Sequence, residues 1–385
     1  MSQINVRNLS NENDDGAPDI VGISTISATS YFVPPVGTTA QRPENPQGGD
    51  LRFNTDTASL EYFRGDTIGW SQIEMTSPDL GGGTGSNTGT GARGVWGSGE
   101  PPAADTMEYI TISTLGDAVD FGNLTQARSA GNTGGASRTR GFFACGQSPS
   151  PFTFYNIIDY ITFSTVGNAI DFADTVNTTY DSSGTSDSTR GLINYGTKSG
   201  FTMVNTIEYI TMSSVGTNAQ DFGDLSLLRR TPGALSSSTR ALWGGGGSPT
   251  NRNTVDYNTI STLGNASDFG DLSQSYDDTC GGSNSIRGLF ALGGGTWGDV
   301  NTIDYFTIAT LGNATDFGDS TTAGSKNSAV TSPTRFVLGG GTVSPASTNV
   351  MDYVQIMTTG NAVDFGDLPS ARRIYGAVSN AHGGL

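Results

Sequence analysis

Histidine is nearly missing from this chain, with one, His382, in 385 residues. Cysteine occurs twice, as Cys145 and Cys280. A zinc site draws on several His or Cys ligands, and two widely separated cysteines cannot supply them. A Ser-His-acid triad would have to use His382, and no nucleophile motif accompanies it. The cysteines fall in different strands of different repeats, which argues against a disulfide and for a reducing place of synthesis. Bases are scarce as well: 19 Lys and Arg stand against 36 Asp and Glu, a net charge of −17. Without a basic stripe the chain is a poor nucleic-acid binder. No apolar run reaches the ~20 residues that cross a bilayer, so membrane insertion is not expected. The opening MSQINVRNLSNENDD is polar and acidic, and reads as neither a secretory nor a transit signal. Long stretches with apolar spacing of three and four are lacking too, which excludes a helical architecture.

Glycine is plentiful, 55 residues, alongside abundant Ser, Thr and Asn. That composition suits many short strands joined by tight turns. The stretch NTIDYFTIATLGNATDFGDS, Asn301 to Ser320, recurs as near-copies marked by Tyr109, Tyr160, Tyr209, Tyr257, Tyr305 and Tyr353, 48 to 51 residues apart. Each tyrosine follows Asp or Glu. Each is followed 12 or 13 residues later by the Phe of an Asp-Phe pair: Phe121, Phe172, Phe222, Phe269, Phe317 or Phe365. A fixed period of this length means one supersecondary unit repeated, each burying its apolar faces against its neighbours.

Four strand-like parts make up each repeat. A is a small-residue run such as PGALSSS. B opens on Arg and closes on Gly six residues later: Arg93, Arg140, Arg190, Arg240, Arg287 and Arg335 are the openers. C carries the Asp/Glu-Tyr pair and D the Asp-Phe pair. The chain enters the first repeat at B and finishes on an A strand, so its last strand completes its first repeat. That offset predicts an all-β, six-bladed β-propeller over 93–385, closed by the C-terminal strand with no long edge left open. Before it, residues 1–80 read as an extended segment with a small β-meander: LRFN, SLEYF and GWSQI are strands and Arg64-Gly65-Asp66 a hairpin turn. A short apolar patch, DIVGISTISATSYFVPP, precedes the meander. Residues 81–92 read as a Gly/Ser/Thr linker.

The repeats ARR–YGAVSNA–RGLFALGGG–NTIDYFTI–DFGDLPSARR resemble the kelch family. That family has a Gly doublet after the second strand, Tyr in the third, an aromatic in the fourth and Arg after it. Phe replaces Trp in the fourth strand here, the doublet shrinks to one Gly at 146 and 196, and the post-strand Arg is lacking at TTYDSS and SQSYDD. Together with TTAQRPENPQGGDLRFNTDT, the chain resembles tail-fibre-like virion proteins of marine bacteriophages, especially those infecting cyanobacteria. The resemblance implies a virion location. Residues 1–80 would dock to other virion proteins and drive homo-oligomerisation, a trimer being one arrangement. An architectural capsid or tail component without a host ligand is the alternative, and a polysaccharide-degrading enzyme a third reading.

Two readings of the B-opening arginines compete. One gives a ring forming an anion site. The other, favoured because the motifs occur in equal number, pairs each Arg internally with a repeated acid: Glu108, Asp159, Glu208, Asp256, Asp304 or Asp352, or the Asp of Asp-Phe. LGNAxDFGD resembles a calcium loop loosely, and its Asn and Asp are expected to satisfy turn backbone instead. Acids that recur once per repeat do not point to a paired-carboxylate glycosidase. No enzymatic activity, metal or cofactor is expected. Length varies most between the closing Gly of B and the Tyr of C, from 10 to 14 residues. Variable loops on a rigid scaffold are where binding surfaces are built. The B–C loops carry Phe152, Phe154, Tyr155, Phe201 and Trp297, rings suited to stacking on a sugar or anchoring a protein, a host-surface glycan or protein above all. The competing reading is that these rings cap the ends of the repeats.

Overall fold

Period-two strands and Gly/Asn-rich turns leave the chain little choice but antiparallel sheet, and a computed structural model of it is all-β. The structure describes residues 34–56, 59–72, 92–129, 133–149, 151–247, 249–295, 298–373 and 376–385. Residues 81–91 of the expected 81–92 linker, most of the early apolar patch and Trp297 lie outside these residues. The chain divides into two compact units, Met1–Ser77 and Pro78–Leu385.

In the first unit, Leu51–Asn54, Ser59–Phe63 and Trp70–Gln72 form the expected antiparallel meander. A fourth strand, Val36–Gly37, adds to it in parallel beside Phe53 and Asn54. So small a sheet has little apolar interior, and a buried ion cluster fills the gap. Glu61 is fully shielded, bonded by Arg42 at 2.6 Å and by Asn54 at 3.1 Å, with Arg52 at 3.6 Å. Arg42 holds its carboxyl below the usual range. Both guanidiniums lie over the Trp70 ring, at 5.8 and 5.9 Å. Arg64-Gly65-Asp66 forms the turn before Trp70, with Gly65 at φ +96°.

The second unit holds six repeats, each with four antiparallel strands in spatial order A-B-C-D; those of repeats 1, 3 and 6 form separate four-stranded sheets, that of repeat 2 is extended to seven strands, and those of repeats 4 and 5 join into one sheet of eight. The B, C and D strands of repeat 1 are Arg93–Gly97, Ala104–Thr111 and Val119–Arg128, and its A strand is Gly376–Ser379 from the other end of the chain. Repeat 2 runs Thr133–Ala136, Arg140–Ala144, Phe152–Thr162 and Ile170–Tyr180. Repeat 3 runs Ser183–Ser186, Arg190–Asn194, Thr206–Thr211 and Gln220–Asp224. In repeat 4 these are Gly233–Ser236, Arg240–Gly244, Arg252–Thr259 and Ser267–Asp277. In repeat 5 they are Cys280–Ser283, Arg287–Gly295, Gly298–Thr307 and Thr315–Gly324. Repeat 6 has Ser328–Thr331, Arg335–Gly339, Val350–Gln355 and Val363–Asp367.

The core lies between sheets. Each sheet buries apolar residues on both faces, and the described residues form six clusters, each joining consecutive repeats. The sixth joins Val330, Val337, Met351 and Phe365 of repeat 6 to Trp96, Ile110 and Ile112 of repeat 1. Each A strand lies beside those of the repeats before and after it, and that of repeat 1 lies beside those of repeats 2 and 6. The second residue of every A strand is Gly or Ala: Gly134, Gly184, Ala234, Gly281, Ala329 and Ala377. These residues surround two cavities of about 50 and 80 Å³, where the strands approach too closely for larger side chains.

Every C–D pair slips register at the same place, just before the acid of C, so that Phe of the Asp-Phe pair is the bulged residue. The C–D turn then reaches into the preceding repeat. Asn265 Oδ1 accepts from the Asp224 N–H at 3.1 Å, and the Gly264 N–H donates to the Phe222 carbonyl at 2.8 Å. The same bonds recur around the repeats, ending with Asp117 Oδ1 on the Asp367 N–H at 3.0 Å. LGNA is thus an inter-repeat clasp whose Asn satisfies backbone.

Candidate functional site

Arg at the head of B and Tyr in the middle of C lie on neighbouring strands, close enough for their side chains to overlap. In all six repeats the guanidinium lies over the tyrosine ring, 4.3 to 5.3 Å from its centre. The bulged Phe meets the same ring edge-on at 5.7 to 6.1 Å. The guanidinium also donates to a backbone carbonyl of the next repeat. Arg190 reaches Ile260 at 2.8 Å, Arg240 Ile308 at 2.8 Å, Arg287 Ile356 at 3.0 Å and Arg140 Met212 at 3.4 Å. Arg93 bonds the Phe163 carbonyl, and Arg335 returns to Ile112 of repeat 1 at 2.9 Å. The expected pairing of these arginines with the repeated acids is therefore corrected: what they hold is an aromatic ring and the neighbouring backbone.

The acids have other partners. Asp159 is bonded by Arg128 at 2.9 Å and by the Thr125 hydroxyl at 2.6 Å; Asp256 by Arg229 at 2.9 Å and the Ser226 hydroxyl at 2.7 Å. Glu108 pairs with Arg372. Each of these arginines stands seven residues after the Phe of its D strand and meets the acid of the next repeat. Thr179, Tyr276 and Gly324 stand where they would in repeats 2, 4 and 5, so the post-strand Arg is lacking three times, not two. Glu208 there takes the Tyr195 hydroxyl and the Val176 N–H. Among the described residues, Asp304 is hydrogen-bonded only by Ser273, and Asp352 only by Thr321. Burial pushes all three of these carboxyls up.

Asymmetry of another kind marks the B–C loops. The D strand of repeat 2 is long, and at Thr179 and Tyr180 it pairs with Lys198 and Thr197 from the B–C loop of repeat 3. That loop is a hairpin with Phe201 at its tip. The added pairing brings Phe201 onto Phe152 and Phe154, at 5.6 Å each, and Phe154 stacks flat on Tyr180 at 4.7 Å; Phe152 and Phe154, expected in a B–C loop, lie at the start of the C strand of repeat 2, paired with Gln147–Pro149. Phe152 and Phe201 remain 50% and 66% exposed. Phe201 has φ +57°, a left-handed conformation that a bulky side chain adopts only under strain. Of the rings expected in this surface, Phe152, Phe154 and Phe201 come together. Tyr155 does not join them; its N–H closes the loop on Gly146 at 2.9 Å. Trp297 is outside the described residues. Tyr180 was not anticipated, because it lies in a D strand and not a B–C loop. Its signal was the missing Arg and the aromatic in TTYDSS.

Next to Tyr180 begins a charged group in the D–A loops. Arg230 bridges Asp277 at 3.2 Å and Asp181 at 3.7 Å, and Lys326 lies 3.9 Å from Asp278. Burial, with Asp278 and Asp277 close by, pushes the Asp181 carboxyl up to about 7. Asp181 and Asp278 hold equivalent left-handed positions, φ +56° and +52°. His382 sits at the other end of the A strands. Its Nδ1 accepts from the Gly384 N–H at 3.1 Å, which leaves Nε2 to donate to the Ala136 carbonyl at 2.9 Å. Burial pulls its pKa down to about 4, so the ring is neutral and structural. Cys145 and Cys280 are free and buried, and burial pushes both thiols up to about 12, which makes them poor nucleophiles. Among the described residues no three His, Cys, Asp or Glu are grouped to hold a metal. In comparison with known proteins, no family model and no curated protein matches this chain.

Proposed function

We propose that the second unit is a closed six-bladed, kelch-like β-propeller that serves as the exposed head of a tail-fibre-type virion protein. In this reading residues 1–80 moor the chain to the particle and drive its oligomerisation. Support for closure comes from three links that join repeat 6 to repeat 1 as every other pair is joined: the shared apolar cluster, the Arg335 bond to Ile112, and the Asp117 clasp. Support for binding rests on one observation. Four aromatic rings from two adjacent repeats converge on the B–C face, two of them exposed, and one is held at an unfavourable φ. A scaffold has no need to strain Phe201 in order to leave its ring in water, whereas a surface that grips a host glycan or protein does.

The test uses fluorescently labelled chain on a panel of marine cyanobacterial cells. Wild type should label some strains, and Phe152→Ala/Phe154→Ala/Phe201→Ala should label none while melting as the wild type does. Equal labelling by the triple variant would remove these loops from the reading. Imaging the particle then separates attachment from architecture: a tail-tip position favours the first and burial in capsid or collar the second.

A further inference from the structure

A second site lies at the opposite end of the strands, where the A–B and C–D turns emerge. A cleft of about 430 Å³ opens there between repeats 2 and 3, lined by Ser137, Arg138, Arg140, Ser188, Met212 and Ser213. Clefts that take small molecules span about 300–1,000 Å³. Two guanidiniums face it, in a protein of net charge −17. Arg138 enters none of the ion pairs or hydrogen bonds made among the described residues, and it is exposed. Arg140 is only loosely committed. Its bond to the Met212 carbonyl is 3.4 Å, against 2.8 to 3.0 Å for Arg190, Arg240, Arg287 and Arg335.

The position of Arg138 breaks the repeat. Ser188, Ser238 and Ser285 occupy it in repeats 3, 4 and 5, and Pro333 in repeat 6. The turn does not need Arg to fold. Ser137 Oγ already receives the Arg140 N–H at 3.1 Å, as Ser237 does for Arg240. The neighbouring carboxylate, Asp187, is occupied by its own turn, receiving the Thr189 and Arg190 N–H groups at 2.7 Å each. No acid is therefore spent on Arg138.

We propose that this cleft binds a sugar unit carrying a carboxylate or a sulfate. Arg138 takes the oxyanion, whose acceptor oxygens its planar fork of donors matches. Arg140 adds the second positive charge, and the hydroxyls of Ser137, Ser188 and Ser213 meet the sugar's own. An inorganic anion would fill little of the volume. The proposal is independent of the aromatic loops, since it uses other turns at the other end of the repeats.

Ligand-observed NMR titration of the full chain with galacturonate, galactose 6-sulfate and galactose tests it. One or both anionic sugars should bind, more weakly as salt is added, and galactose should not. Whichever binds tells carboxylate from sulfate. Arg138→Ser, which installs the residue of three other repeats, should keep the melting temperature and weaken that binding roughly tenfold or more. Phe152→Ala/Phe154→Ala/Phe201→Ala should leave it unchanged. Equal affinity for galactose, no binding of either anion, or wild-type affinity in Arg138→Ser would each overturn the proposal.

Discussion

At the scale of single residues, the position seven residues after the Phe of the D strand decides how an acid in the next repeat is housed. Arg128 and Arg229 accompany Asp159 and Asp256 into the interior, and all four side chains are shielded from water. Asp304 and Asp352 go in without a cation. Both hydrogen bonds to each carboxylate fall on Oδ2, and Oδ1 has no hydrogen-bond partner among the described residues. An ionised carboxylate in that position is costly, which is why burial raises both pKa values. The linkage follows. A carboxyl whose folded pKa lies above its unfolded value, about 4, contributes stability below that value and loses it as pH rises through the folded pKa. Asp304→Asn/Asp352→Asn keeps an acceptor for Ser273 and Thr321 and removes both charges. The double variant should melt higher than wild type at pH 7, and the advantage should shrink as pH falls toward 4. Thermal scans at stepped pH check this, and an advantage independent of pH would show that ionisation is not its source. Glu61 in the first unit has the opposite sign: its pKa is lowered, so the stability it contributes is lost in acid.

The element that most depends on sequence detail is the C–D turn. Gly223 has φ +145°, and a β-carbon there would lie 2.5 Å from the Gly264 carbonyl carbon and oxygen. Gly122, Gly270, Gly318 and Gly366 are placed likewise against the next turn. Repeat 2 has Ala173 instead, and the turn it faces, SSVGTNA in repeat 3, is one residue longer than STLGNA in repeat 4. The longer turn makes room for the methyl group and still bonds Gly216 to the Phe172 carbonyl at 2.7 Å. Gly223→Ala should therefore destabilise the unit by about 1–3 kcal/mol in urea titrations. Inserting Thr between Gly264 and Asn265 in the same chain should recover part of that loss; no recovery would refute the pairing of turn length with Ala. Much of this architecture was legible because the Arg, Tyr and Phe of each repeat recur at nearly fixed spacing, and a stack repeated six times leaves a periodic trace. The partner of the Arg was not legible. Backbone carbonyls carry no sequence signature, and Ile260 or Met212 becomes a partner only once the next sheet is in place. The two-residue strand Val36–Gly37 was missed because so short a run has no alternation to read. Tyr180 was missed because it belongs to a D strand that outgrows its repeat and borrows a hairpin from the next.

For the whole second unit, stability is a property of contacts between repeats, since each sheet buries both faces and none has a core of its own. The segment Gly376–Leu385 has an outsized share of these contacts. Its strand pairs with Arg93–Gly97, placing Val378 among Val95, Phe143 and Phe163. Asn380 Oδ1 receives the Arg93 N–H at 2.8 Å, and His382 reaches across to repeat 2. Removing the segment would uncover the B strand of repeat 1 along its full length and open two apolar clusters at once, those with repeats 2 and 6. A B strand with one edge open is also a template for a foreign strand. A chain ending at Arg373 should therefore unfold at much lower temperature than the full chain, be cut by protease within residues 92–129, and aggregate. Adding a synthetic peptide of residues 374–385 should restore part of the protease resistance by re-pairing with Arg93–Gly97. A truncated chain that resists heat and protease as well as the full one would mean that repeat 1 is held by its neighbours alone, and the proposed ring would lose its principal fastening.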